Sequence, residues 1–335
     1  MAENERQKTD IVITWVDGSD EAWLKERDKY LPPEKRSIDA SPVRYRDWGL
    51  LKYLLRSIEK FAPWAGNIYI VTADQTPDFL NTSDPRVKLV FHKDFIPKEY
   101  LPTFSSRSIE FNLHRIPGLS EQFVYFNDDT LLTAPTAEED YFKDGLPCDS
   151  HIQNVIAPVE GPMPPVLMND MRIVNSKYSK REFIKNNRKK WFNLKYGKNV
   201  LRNLLLKKWD YFTGFYDTHV AQTLTKKMLG DLWKYEFRAV HGTCLNKFKS
   251  TSDINIWLCR YLYLASGEFV PRKMSFSRYT ELSNDNSRII NCIKGQKQHM
   301  ICVNDTSRCT DLENQKKLLC DAFESILPEK SSFEK

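Results

Sequence analysis

Short apolar runs punctuate the chain, and three of them stop on small polar side chains. Phe123-Val124-Tyr125-Phe126 leads into Asn127-Asp128-Asp129-Thr130, residues 11–16 lead into Asp17-Gly18-Ser19-Asp20, and residues 299–303 lead into Asn304-Asp305-Thr306. With residues 67–72 and 87–91 these runs predict buried strands, because β-branched and aromatic side chains suit a pleated surface covered on its faces. Between them Leu50, Leu51, Leu54, Leu55, Ile58 and Phe61 recur at helical spacing in a helix opening near Asp47. Further helices are predicted from Glu21, over residues 104–116, 220–232 and 257–264, and over 311–326. Residues 31–43 read as a loop, residues 143–176 as a Pro- and Gly-containing excursion without clear period, and the last residues as frayed. Strands alternating with helices predict an α/β sheet.

The polar tips carry the candidate chemistry. Ligands of open α/β sheets bind beyond the carboxyl ends of the strands. Two adjacent carboxylates there, Asp128 and Asp129, suit a hard divalent cation that also holds a diphosphate; an Asx-type turn after a strand is the bland alternative. At the first strand end, Gly18 permits a tight turn and Ser19 or Asp20 can cap the next helix. Glu110 and His114 stand four residues apart, on one helical face, as a metal, acid–base or plain surface pair. His219 follows a glycine turn and Asp217 and precedes an amphipathic pattern; it is a candidate base, although a lone histidine is more often structural.

Composition narrows the class. The chain has 335 residues, 41% hydrophobic and 28% charged, as expected of a soluble globular protein, and holds no apolar run long enough to span a membrane. Its first residues lack an apolar signal core, so an intracellular, cytoplasmic location is expected. Seven cysteines without a CxxC spacing indicate neither disulfides nor a zinc site. The net charge is +6, yet residues 177–208 alone hold twelve Lys or Arg and one acid, Glu182. Such a block is either a solvated helical surface or a contact for a polyanion. With Trp191, Leu194, Leu201, Leu204 and Leu205 interleaved, it suits an interfacial helix. Nucleic acid is not expected as a partner, because no binding motif accompanies the charge.

Four stretches, taken together, resemble the Stealth family, the sugar-1-phosphate transferases of bacterial capsule synthesis, which includes the catalytic subunit of the animal lysosomal-enzyme N-acetylglucosamine-1-phosphotransferase. They are Asp10-Ile-Val-Ile-Thr-Trp-Val-Asp-Gly-Ser-Asp20; the long segment from Arg44-Tyr-Arg-Asp47 to Tyr125-Phe-Asn-Asp-Asp129; Tyr216-Asp-Thr-His219 through Lys249-Ser250 and Asp253-Ile-Asn255; and Cys302-Val-Asn-Asp-Thr306. The resemblance implies a Rossmann-like mixed sheet related to nucleotide-sugar transferases, in one catalytic domain over residues 1–335 with a basic helical insertion at 143–208. It implies Mg²⁺ (or Mn²⁺) as cofactor, a nucleotide-sugar donor, and a glycan or lipid-linked oligosaccharide acceptor. The acceptor hydroxyl would attack the β-phosphorus of the donor; a metal-dependent glycosyltransferase and a non-catalytic carbohydrate- or lipid-binding module are the alternatives.

On that resemblance the catalytic set is His219, Asp128, Asp129, Glu110 and Lys249. The donor would be held by Thr14, Trp15, Val16, Asp17, Gly18, Arg44, Asp47, Arg56, Asn127 and Asn304, and the metal by Asp129 and Asp305. Phosphoryl transfer needs positioning and charge neutralisation, for which Arg56, Lys249 and Arg44 are the expected cations. Lys52, Lys247 and Lys249 stand where the family commonly has Arg, and no Pro flanks His219, which bears on donor and acceptor preference. The basic block would hold the protein peripherally at the inner face of the membrane.

Overall fold

The computed structural model describes residues 8–32 and 42–335; most of the loop expected at 31–43 therefore lies outside the described residues. A five-stranded sheet organises the fold. Its strands are β1 (Asp10–Thr14), β2 (Ile68–Thr72), β3 (Val87–Phe91), β4 (Gln122–Asn127) and β8 (Gln222–Thr225), in the order β3-β2-β1-β4-β8. The first four are parallel, and β8 closes the edge antiparallel to β4.

Alternation along the strands divides the core in two. Ile11, Ile13, Ile68, Ile70, Val124 and Phe126 face one side, where α2 (Leu51–Phe61) and α10 (Leu312–Ile326) cover them. Val12, Tyr69, Val71, Phe123 and Tyr125 face the other, beneath α3 (Ser106–Asn112), α7 (Lys226–Tyr235), α8 (Phe237–Leu245) and α9 (Trp257–Ser266). A sheet buried on both faces explains why its strands read as continuous apolar runs. The first helix, α1 (Glu21–Tyr30), is capped by Asp20, whose carboxylate accepts from the N–H groups of Ala22 and Trp23.

A second sheet sets the site. It contains β5 (Thr130–Leu132), β10 (Ser277–Glu281) and β11 (Met300–Asn304). The β11 strand runs antiparallel to β5, pairing Cys302 with Thr130, and Val303 N–H donates to Asp129 O at 2.9 Å. The carboxyl end of β11 is thereby carried back to the carboxyl end of β4, so the two strand-then-Asn-Asp patterns, 177 residues apart in sequence, end side by side. A small third sheet holds β6 (Phe142–Lys143), β7 (Leu146–Asp149) and β9 (Val270–Pro271).

Several expectations are corrected. The excursion at 143–176 contains a 15-residue helix, α4 (Met163–Lys177), whose Pro164 and Pro165 sit in its first turn, where a missing N–H costs nothing. His219 does not open a helix; it precedes β8. The C-terminus is not frayed: Phe333 is fully buried, and Lys335 N–H donates to Phe79 O. The basic block is not one interfacial helix. It breaks into α5 (Lys180–Asn186), a single turn at Arg188–Trp191, a kinked 3-10 stretch at Leu194–Asn199 and α6 (Val200–Leu206), and Lys180 is buried with its ammonium donating to Leu206 O and Tyr211 O.

Candidate active site

Beyond the carboxyl ends of β1 and β4 lies a cavity of about 390 Å³ lined by Val16, residues 43–48, Leu50, Asp128, Asp129, Lys249 and residues 303–305. A second recess of about 130 Å³, lined by Glu110, Tyr125, Asn127, His219, Lys249 and Trp257 among others, shares Lys249 with the first. The two together collect Asp128, Asp129, Glu110, His219, Lys249, Val16, Arg44, Asp47, Asn127, Asn304 and Asp305 from the sequence expectation.

The acidic centre is electrostatically costly as it stands. Burial, then the charges of Asp129 and Asp47, pushes Asp128 up to about 8. Burial lifts Asp129 to about 6, against a hydrogen bond of 3.1 Å from the Thr130 hydroxyl. Asp305 lines the same cavity but lies 3.2 Å from the Arg46 guanidinium. Among the described residues no group of three or more His, Cys, Asp or Glu is placed to hold a metal. A pair of carboxylates still fits Mg²⁺, which keeps several waters and is commonly bound by one or two carboxylates plus substrate phosphates.

Tyr125 ties the floor together. Its hydroxyl shares a hydrogen between Asn127 Oδ1 at 2.8 Å and Glu110 Oε1 at 3.1 Å, and lies 3.0 Å from Thr14 Oγ1. Burial raises Glu110, while Lys249 and the Tyr125 hydrogen bond pull it back. Thr14 thus acts on the site through Tyr125. His114 does not join Glu110: the α-helix ends at Asn112, and His114 falls in a tighter turn that takes it off that face.

His219 adopts a left-handed backbone conformation, φ 50°, uncommon outside glycine. Its ring meets Trp257 edge-on at 4.7 Å and Tyr279 at 4.9 Å. Burial and then Lys249 depress it to about 4, so at neutral pH it is an uncharged proton acceptor. The segment is held two residues earlier. Asp217 accepts from Arg260 Nη1 at 3.0 Å and from the Tyr261 hydroxyl, and the same guanidinium grips Asp149 through two bonds of 2.7 and 3.1 Å. Lys249 is positioned similarly: buried Asp253 binds Arg107 at 2.7 Å and Ser250 N–H at 2.8 Å.

The first strand end contributes shape. A Cβ on Gly18 would come within 2.0 Å of Tyr45 O, so close approach of another segment, rather than the turn itself, requires glycine there. Asp17 accepts from the N–H and hydroxyl of Ser19, and its backbone is clasped by the Gln75 amide. Trp15 packs against the core on the α2 side. Arg56 is not brought to the site. It is buried against the C-terminal tail, with bonds of 2.9 and 3.0 Å to Glu334, 3.0 Å to Glu324 and 2.9 Å to Leu327 O.

Residues 9–32, 44–148 and 291–335 match Stealth protein conserved regions 1, 2 and 4. The capsular polysaccharide phosphotransferase WcwK of Streptococcus pneumoniae is 39% identical over 330 residues, 98% of each chain. The chain belongs to the Stealth family. The exopolysaccharide phosphotransferase cps2G of Lactiplantibacillus plantarum is 37% identical over 97% of this chain and 96% of its own, and the receptor polysaccharide phosphotransferase WefC of Streptococcus oralis 36% over 98% and 99%. This Stealth chain is accordingly a phosphotransferase. Among solved structures it is similar to the bifunctional glycosyltransferase WbbM, at 11% identity and a TM-score of 0.41 over 98% of this chain and 51% of that one.

Sequence reasoning missed Tyr125, Arg260 and Asp149 as parts of this Stealth site. Arg260 and Asp149 are 111 residues apart and carry no local signal. Tyr125 had one: a hydroxyl in a strand core needs a polar partner.

Proposed function

We propose that this Stealth phosphotransferase moves a sugar-1-phosphate from a nucleotide-diphosphate sugar, a UDP-hexose or UDP-N-acetylhexosamine, to a hydroxyl of a glycan acceptor in the assembly of capsule or cell-surface polysaccharide. The observation that carries the reading is the meeting, around Lys249, of a neutral, half-buried histidine and a paired-aspartate cavity lined by Arg44 and Arg46. His219 takes the acceptor's proton as its oxygen bonds to the β-phosphorus. The bond from that phosphorus to the bridging oxygen breaks, and nucleoside monophosphate leaves. Lys249, Arg44 and Arg46 neutralise the phosphate oxygens. Asp129, with Asp128 beside it, would hold Mg²⁺ (or Mn²⁺), and Asp305 would stand next to them against Arg46. Such an ion, when bound, supplies charge neutralisation for the diphosphate. The acceptor is lipid-linked, and the protein meets it peripherally at the inner face of the membrane through residues 177–208. No helix among the described residues is long and apolar enough to cross one.

The test is the nucleotide released. Incubated with UDP-sugar, acceptor and Mg²⁺, the protein should give UMP and a phosphorus-containing product cleaved by mild acid. Stoichiometric UDP with a phosphorus-free product would reject phosphotransfer in favour of glycosyl transfer at the anomeric carbon.

A further inference from the structure

The short helix α6 is built inside out. Its one buried residue is Asn203, whose amide donates to His151 O and Trp191 O, both at 2.8 Å, and whose carbonyl accepts from Gln153 N–H at 2.7 Å. The opposite side carries Leu201, Leu204 and Leu205, 60%, 54% and 75% exposed and spaced i, i+3, i+4, hence on one face. Leu194 before it is 93% exposed, and Trp209 and Tyr211 after it are 60% and 68% exposed. A helix anchored by an asparagine with leucines turned to water is the reverse of an ordinary surface helix.

Charge says what covers this face. Residues 183–209 contain nine Lys or Arg and no Asp or Glu. Arg188, Lys189, Lys198, Lys207 and Lys208 are exposed around the leucines. Leucines for the acyl boundary, aromatics for the headgroup level and a cationic rim are the components of an interfacial anchor for anionic lipid. The face also connects to the site: Arg202 donates to Asn154 Oδ1 at 2.7 Å and stacks 5.1 Å from the Tyr216 ring, three residues before His219.

We infer that the outward leucine face of α6, with Leu194, Trp209 and Tyr211 and the lysines around them, seats the protein on an anionic lipid bilayer. The inference rests on the membrane-acceptor reading above and names the face that makes the contact.

Flotation of the full chain with vesicles of phosphatidylcholine alone, or containing 40% phosphatidylglycerol, tests it. The wild-type chain should partition onto the anionic vesicles and little onto the neutral ones. The Leu201→Glu/Leu205→Glu pair should lose on the order of tenfold or more for each leucine. The Lys198→Gln/Lys207→Gln pair should lose about fivefold for each lysine, a loss that shrinks at high salt. Both pairs should release UMP with a water-soluble acceptor as the wild type does. Wild-type binding equal on both vesicles or absent, or undiminished binding by the leucine pair, would overturn the inference. A dimer in solution that the leucine pair dissociates, without vesicle binding, would reassign the face to a second copy. UDP release with vesicle binding intact would reject the proposed reaction and leave this anchor standing.

Discussion

Arg56 separates the two ways its position can be read. As a phosphate ligand, its removal would cost the donor one charge-assisted contact, about 1.5–3 kcal/mol or ten- to a hundredfold in kcat/KM. The structure instead buries it between Tyr53, Glu324, Glu334 and Leu327 O, four bonds in all, each 2.9–3.0 Å. The Glu334 side chain is itself buried; burial is the largest single influence and raises it, yet the hydrogen bonds from Arg56 and Ser331 and the Arg56 charge together hold it below its ordinary value. Arg56→Ala should then leave an uncompensated carboxylate, for about 3–5 kcal/mol. With an unfolding entropy of about 2.1 cal/mol/K per residue, the 335-residue chain loses about 0.7 kcal/mol per kelvin, so Tm should fall by about 4–7 °C. Donor KM, measured well below that transition, should be unchanged. Arg56→Met/Glu334→Gln, which removes both charges, should recover most of the loss. A variant with unaltered Tm and a KM raised tenfold or more would refute the placement and return Arg56 to the phosphates.

His219 should set the acid limb of kcat/KM: since protonation inactivates it and its depressed value is about 4, activity at saturating Mg²⁺ should persist well below pH 6, and His219→Ala should cost on the order of 10² to 10⁴. A limb near 6.5, or normal turnover by His219→Ala, would count against that role. Asp128 and Asp129 should make the ion-free protein less stable as pH rises, because their folded values lie above the unfolded 3.8; the stabilising protonation is complete below 3.8 and lost through about 6 and then 8. Thermal unfolding between pH 5 and 8 should show this slope, flattened by Mn²⁺ and by Asp128→Asn, whereas an identical slope in all three samples would remove the cation reading.

Local pattern carried the sheet and most of the acidic centre because both are written in short range. A parallel strand covered on both faces must be apolar throughout, and its end must be polar, so residues 122–129 announce strand and site together. The same logic misplaced whatever depends on partners distant in sequence. Arg56 sits in a helix among residues that belong to the site's neighbourhood, but its carboxylates arrive from residues 324 and 334. His219 was legible as a residue and not as a conformation: the Asp149–Arg260–Asp217 cluster that holds its loop joins three segments. In the basic block the composition was plain, while the inward turn of Lys180 and the outward turn of three leucines follow from what Asn203 and the aromatic cluster around Trp191 require.

The perturbed groups of the site point to one cause. Burial raises Asp128, Asp129 and Glu110 and lowers His219, so two recesses that meet at Lys249 favour the neutral form of every one of them. Were the cavity merely structural, folding would gain by filling it with apolar side chains, since paired buried charges are seldom worth their desolvation. Four ionisable groups kept there at a cost make sense if charge enters with the ligand. A diphosphate would bring further negative charge to Lys249, Arg44 and Arg46, and its accompanying cation would bring positive charge to the aspartates, so loading favours the charged form of Asp128 and Asp129 that burial disfavours. His219 is the exception, since nothing in that exchange restores its charge. It stays neutral in the recess beside Lys249, the state in which it could accept the proton of an acceptor hydroxyl as proposed.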